Sequence, residues 1–148
     1  MSRIGFALCG SFCTHAAALT ALEALLACGH DIQPILSETA FATDTRFGCA
    51  AALRERLESL CGRAVIHTVP EAEPLGPARP LDALVICPCT GNTLAKLANG
   101  VTDSAVTMAA KGHLRADRPD LIDPPDVLIF EGIHMFHDKR LCDLMALK

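Results

Sequence analysis

The sequence has no tryptophan, no tyrosine and only six phenylalanines among 148 residues. Stacking platforms for single-stranded nucleic acid are therefore missing. Positive charge is not in excess either: 13 Lys and Arg stand against 17 Asp and Glu, a net charge of −4. The basic face that a phosphate backbone requires is absent, and nucleic acid is not an expected partner. No apolar run is long enough to span a bilayer. The segment Met1-Ser2-Arg3-Ile4-Gly5 leads directly into a strand-like stretch, without the apolar core and cleavage site of a signal peptide. The expectation is a cytoplasmic protein with no membrane partner.

Cysteine is plentiful, but the eight residues, at positions 9, 13, 28, 49, 61, 87, 89 and 142, include no Cys-x-x-Cys pair. Most lie in apolar, Ala-rich segments where Cys behaves as a small hydrophobe, so buried free thiols are expected rather than disulfides or zinc. The His134-x-x-His137 pair has no companion ligands and reads as loop polarity. Apolar residues make up 51 % and charged residues 20 %, the balance of a folded domain.

Along the chain, strand and helix signals alternate. Arg3 to Cys9 is a β-prone run ending at Gly10-Ser11. Leu19, Leu22 and Leu26 then recur at helical spacing before Gly29, a natural C-terminal stop. Ile32 to Leu36 is a second strand whose Pro34 favours an edge or a strand terminus. Leu53, Leu57 and Leu60 mark a helix ending at Gly62, and Ala64 to His67 a third strand. Four prolines between Val69 and Pro80 predict a loop. Asp82 to Cys87 reads as a strand covered on both faces. Helices are expected over Thr93 to Asn99 and, behind an Asp103 cap, over Ser104 to Leu114. A Pro- and Asp-rich link, Arg118 to Pro125, precedes a last strand, Val127 to Phe130, and a helix from Asp138. This order predicts a three-layer α/β fold, a flavodoxin- or Rossmann-like parallel sheet with helices on both faces. In such sheets ligands bind beyond the carboxyl ends of the strands.

Three loops fall at that end. Gly10-Ser11-Phe12-Cys13-Thr14 offers a tight turn and two hydroxyls beside a helix N-terminus, where free N–H groups favour an anion. It matches neither a dinucleotide fingerprint nor a Walker loop, and a plain N-cap explains the same residues. Ser37-Glu38-Thr39-Ala40 places small hydroxyl residues at the second strand end, equally well read as turn residues. Pro88-Cys89-Thr90-Gly91-Asn92-Thr93 follows the buried strand, and its Asn92 can both donate to and accept from the edge of a flat heterocycle.

From Pro88 to Asp103 the pattern Pro-x-x-x-Asn-Thr-x-x-Lys-x-Ala-x-Gly-x-x-Asp resembles the flavin-contacting signature of the homo-oligomeric flavin-containing decarboxylase superfamily. The motifs Ile4 to Ser11, Asp44-Thr45-Arg46-Phe47-Gly48, Ala72 to Pro77, Leu94 to Asn99 and Met108-Ala109-Ala110-Lys111 are similar to the B subunits of dipicolinate synthases, from about residue 3 to Pro119. The resemblance implies a flavoprotein-like domain over residues 1–119, FMN as cofactor, and an A subunit as partner. It also implies a trimer-based homo-oligomer and a role in sporulation, in the oxidation that yields dipicolinate. The hydride acceptor is either that flavin or NADP on the partner subunit. By position, the resemblance places Gly10, Ser11 and Thr14 at the flavin phosphate and Ser37 near the ribityl chain. It places Pro88, Thr90, Gly91, Asn92, Thr93 and Asp103 in the signature around the ring.

The decarboxylases of the superfamily carry an active-site His before the strand that ends at Cys87. Here Glu71 to Gly76 has none, and His67 lies several residues too early. That removes the expected acid/base group and leaves a non-catalytic scaffold subunit, or less readily an FMN-dependent decarboxylase, as the alternatives. Beyond Pro119, Asp126 to Ile133 and Phe136 to Leu144 resemble a strand–turn–helix stretch of uridine kinases. The phosphate-cradling Gly-x-x-x-x-Gly-Lys-Ser/Thr loop of such kinases occurs nowhere in the chain, so residues 120–148 read as an atypical strand–helix segment completing or appended to the same domain.

Overall fold

A computed structural model describes residues 1–76, 78–115 and 127–131, with Arg115 and residues 127–131 described as backbone. Among the described residues four strands form one sheet in the order β2-β1-β3-β4: β1 (Arg3–Leu8), β2 (Asp31–Leu36), β3 (Ala83–Cys89) and β4 (Val127–Glu131). Every pairing is parallel, with Ile4 opposite both Ile32 and Ala83, and Leu84 opposite Val127. Among the described residues six α-helices accompany them: α1 (His15–Ala27), α2 (Glu38–Ala42), α3 (Ala50–Cys61), α4 (Val69–Ala72), α5 (Gly91–Ala98) and α6 (Ala105–Arg115).

The period of two along a strand sends alternate side chains to opposite faces. Ile4, Phe6, Leu8, Val85 and Cys87 pack with Leu19, Leu22 and Leu25 of α1 and Leu57 of α3. Ala7, Cys9, Leu84 and Ile86 pack on the other face with Ala72, Leu75 and the α6 residues Val106, Ala109 and Ala110. Two apolar cores thus sandwich the sheet, which is the expected three-layer α/β arrangement. The leucine stripes predicted for the first two helices supply the first core, and burial of a side chain such as Leu22 stabilises the fold by about 1.5–3 kcal/mol.

Several expectations change in contact with the fold. Pro34 does lie in the outer strand β2. The predicted strand over Ala64 to His67 shrinks to a single bridge, Ile66 opposite Ile35, because the β2 edge gives only two bonds there: Leu36 N to the Ile66 carbonyl at 2.8 Å and Ile66 N to the Pro34 carbonyl at 3.1 Å. The predicted loop after Val69 contains α4 and a 3₁₀ turn, Glu73–Leu75, because proline is compatible with a first helical turn and Thr68 caps it reciprocally with Glu71. Gly76 then passes against α6, where an added Cβ would meet the Gly112 carbonyl oxygen at 2.9 Å.

The cysteines divide. Cys9, Cys87 and Cys89 are buried and Cys61 is half-buried, as small hydrophobes should be, but Cys13, Cys28 and Cys49 are exposed. Those three stand in or beside helix termini, which lie at the surface. All seven described cysteines are free thiols. Residues 116–126 and 132–148, which hold the Pro- and Asp-rich link, the His134/His137 pair, Cys142 and the helix predicted from Asp138, lie outside the described residues.

Candidate functional site at the strand carboxyl ends

The loops after β1, β2 and β3 meet at one end of the sheet. Cys9 N donates to the Pro88 carbonyl at 3.0 Å, and Ser37 N donates to the Leu8 carbonyl at 3.0 Å. Gly10 lies against α2, where an added Cβ would meet Thr39 Cγ2 at 3.3 Å. Across the same end, Ala105 N at the start of α6 donates to Glu38 Oε1 at 3.3 Å.

In the first loop the chain passes through a 3₁₀ turn, Phe12–Thr14, into α1. Neither Ser11 nor Thr14 uses its side chain to cap the turn or the helix. Thr14 is buried and its hydroxyl donates back to the Ser11 carbonyl at 2.8 Å. The hydrogen of Thr14 is thus directed into the loop, while half-buried Ser11 flanks the open N-terminus of α1. His15, the first residue of that helix, places Nε2 2.7 Å from the Cys9 carbonyl, so Nε2 carries the hydrogen. Burial lowers the His15 pKa below its ordinary value, against the hydrogen bond to Cys9, which favours charge. A cavity of about 280 Å³ opens beside this loop, with walls that include Phe12, His15, Leu19, Phe47, Leu53 and Arg56.

The second loop is closed on itself: Ser37 caps α2, accepting from Ala40 N at 3.2 Å. The third is closed as well. Pro88 is buried inside β3, after a cis Cys87–Pro88 peptide, so the strand runs two residues beyond the predicted end at Cys87. Thr90 caps α5 by accepting from Thr93 N at 3.2 Å and donates its own hydroxyl to Thr93 Oγ1 at 3.1 Å. Gly91 and Asn92 are exposed on the first turn of α5, and Thr93 is buried. α5 ends where Val101 N and Gly100 N donate to the Lys96 and Leu97 carbonyls at 2.9 and 3.1 Å, with Gly100 at φ +69°.

Asp103 does not cap the next helix. Its carboxylate lies 2.9 Å from Lys96 Nζ, and Ser104 takes the capping role by a reciprocal pair with Thr107, N to Oγ at 3.1 and 3.2 Å. A hydroxyl reaches its own helix N–H groups more readily than a carboxylate already drawn to a lysine.

Of the predicted residues, the fold gathers Gly10, Ser11, Ser37, Pro88, Thr90 and Thr93 around the joined strand ends, with Asn92 on the adjoining helix turn. Asp103 stands with Lys96 on the link between α5 and α6. Sequence reasoning passed over Cys9, Cys89 and Glu38. Thr93 Oγ1 donates to Cys9 Sγ at 3.3 Å, and Cys89 Sγ lies 3.5 Å from the Thr90 carbonyl. The signal was the position of both cysteines at strand ends rather than their apolar neighbours.

An anion fits beside the Ser11 hydroxyl at the start of α1, which no side chain caps, although Phe12 N, Thr14 N and His15 N already donate to the Gly10, Ser11 and Phe12 carbonyls. Asn92, exposed on the first turn of α5, offers a donor and an acceptor to the edge of a ring. The segment Glu71 to Gly76 brings no imidazole to this end, and His67 is stacked on Phe41 with ring centroids 3.6 Å apart.

The chain is similar to several known proteins. The B subunit of dipicolinate synthase from Bacillus subtilis is 46 % identical over 135 residues, 90 % of this chain and 68 % of that protein. The crystal structure of the B subunit of dipicolinate synthase from Bacillus halodurans superposes with a TM-score of 0.73 at 33 % identity, over 99 % of this chain and 71 % of that one. AnUbiX (PadA1), solved in complex with FMN and dimethylallyl pyrophosphate, shares the fold with a TM-score of 0.68 at 18 % identity, over 99 % of this chain and 93 % of that one. The profile of the Flavoprotein family matches residues 1–135, past Pro119 and through β4. The chain belongs to the Flavoprotein family.

Proposed function

We propose that this chain is a B-type subunit of dipicolinate synthase that binds FMN at the strand carboxyl ends and acts with an A subunit in the oxidation that forms dipicolinate. The observation that carries it is the 46 % identity to the Bacillus subtilis dipicolinate synthase chain over 135 residues, a stretch long enough to include all three crevice loops. The open N-terminus of α1, with Ser11 and Gly10, receives the flavin phosphate. Ser37 lies toward the ribityl chain. Thr90, Gly91, Asn92 and Thr93 face the ring, and Asn92, exposed on the first turn of α5, hydrogen-bonds its polar edge. When bound, the flavin supplies a two-electron acceptor. The protein's part is to hold it, exclude water and manage the proton that accompanies hydride loss. The hydride acceptor is either that flavin or NADP on the A subunit, the chain assembles as trimer-based homo-oligomers, and it works in the cytoplasm of sporulating cells. β4 extends the same sheet, Val127–Ile129 pairing beside Leu84–Ile86.

Titration of the purified chain with FMN, followed by flavin absorbance, tests the site. Tight binding is expected, weakened about tenfold in Asn92→Ala by loss of one good hydrogen bond. Dipicolinate formation is then assayed with the A subunit. Full-rate formation by the A subunit alone refutes the assignment. Binding of flavin with no effect of Asn92→Ala on the rate of the pair turns the chain into a scaffold subunit. The decarboxylase alternative lacks its imidazole, and carbon dioxide release from a cysteinyl substrate would revive it.

A further inference from the structure

Resting on the reading of the crevice as a ligand site, we propose that Cys9 is its proton acceptor, reached from the crevice through the hydroxyls of Thr90 and Thr93. The two hydroxyls and the sulfur form one directed chain: Thr90 Oγ1 donates to Thr93 Oγ1 at 3.1 Å, and Thr93 Oγ1 donates to Cys9 Sγ at 3.3 Å. Both hydrogens point inward. The outer end, Thr90, is half-buried at the start of α5, while Cys9 is 0 % exposed between the two strands. Thr93 N donates to Thr90 Oγ1 and fixes the outer oxygen in place.

The transfer balances without an oxidant. A proton leaves the ligand for Thr90 Oγ1, the Thr90 hydrogen moves to Thr93 Oγ1, and the Thr93 hydrogen moves to Cys9 Sγ. One bond to hydrogen breaks at the ligand, one S–H bond forms at Cys9, and the ligand keeps the electron pair. That is what an oxidation by hydride loss requires of its base, and it replaces the imidazole missing from Glu71 to Gly76.

The surroundings keep the sulfur ready to accept. The Cys89 thiol hydrogen-bonds to Cys9 and, with the Thr93 hydroxyl and the Thr90 backbone, draws the Cys9 pKa down to about 7 against its burial and the Glu38 carboxylate. Burial pushes Cys87, two positions before Cys89, up to about 12. Among the described residues, the titratable groups toward it are His15 of α1, whose ring holds the Cys9 carbonyl, Glu38 of α2 and Cys89 of β3. The apolar α6 residues in its cluster are Ala105, Val106, Ala109, Ala110 and half-buried Met108, and α6 also carries buried His113.

The test uses the full chain with isotope-labelled cysteine β-carbons, whose chemical shifts report thiol ionisation by nuclear magnetic resonance. One resonance, lost in Cys9→Ser, should titrate near neutrality. Thr93→Val should move its midpoint up toward the ordinary thiol value of about 8.5, and Thr93→Ser should bring it back. With the A subunit, the rate should rise with pH over the same midpoint, and Thr93→Val should lower it about 10²-fold. A Cys9 resonance that ionises only in the ordinary thiol range, or a midpoint and pH profile indifferent to Thr93→Val, overturns the relay. FMN titration of the same unmodified sample separates the two ideas. Normal flavin binding with an unshifted Cys9 overturns the relay alone, whereas a neutral-range Cys9 without flavin binding overturns the cofactor assignment alone.

Discussion

The loops that begin α1 and α5 occupy matching places, each following one of two adjacent strands, and they treat their hydroxyls in opposite ways. In the α5 loop, Thr90 turns back to accept from Thr93 N, so the helix caps itself. In the α1 loop, Ser11 and Thr14 leave the first turn uncapped by any side chain, and the Thr14 hydroxyl binds the Ser11 carbonyl instead. A side chain satisfies the helix start in one loop, whereas in the other the Gly10, Ser11 and Phe12 carbonyls take the first N–H groups and the Ser11 hydroxyl stays out of the cap. An anion is therefore expected at α1, and the neutral, polar part of a ligand at α5.

That contrast can be broken most forcefully at Ser11. A carboxylate in Ser11→Asp would occupy the open helix end as a fixed anion and repel a phosphate. FMN affinity should fall about 10²-fold. Thermal unfolding should show the chain unharmed or about 0.3–1 kcal/mol more stable, since an acidic residue suits a helix start. Weakened binding together with lost stability would point to a damaged loop instead. A smaller effect sharpens the same difference: Thr90→Ala removes a working cap and should cost about 1 kcal/mol in urea unfolding, whereas Ser11→Ala, which removes none, should stay within about 0.5 kcal/mol. Equal costs at the two positions would erase the distinction. The smallest effect belongs to Asp103. Its pair with Lys96 is formed by side chains 56 % and 30 % exposed, so Asp103→Asn should change stability by less than about 1 kcal/mol. A loss as large as that of Thr90→Ala would restore the capping role that Ser104 has in the structure.

Much of the architecture was legible because it rests on periodicity and local stops. The leucines of α1 and α3 recur at helical spacing, and Gly29 and Gly62 stand where those helices end with φ of +82° and +65°. Only glycine holds such angles without strain, so the sequence marks the stop. Pro34 announced the outer strand for a similar reason, since it cannot donate to a ladder. The Ala64–His67 segment was misjudged as a full strand because its apolar character says nothing of how many partners the edge of β2 offers. Asp103 and Ser104 are both good caps by type, and only the reach of Lys96 separates them.

The order of elements, the two buried faces of β3 and the convergence of three hydroxyl-bearing loops follow from the chain itself, because side-chain period and turn residues act over a few positions. Which hydroxyls cap and which stay open, and whether a cysteine is inert filler or the end of a relay, was decided by tertiary contact. Cys9 and Thr93 stand 84 residues apart, and nothing local in either segment shows that one will donate to the other. Parallel pairing of β1 with β3 brings them together, and the low dielectric between two covered strands gives that single hydrogen bond its weight.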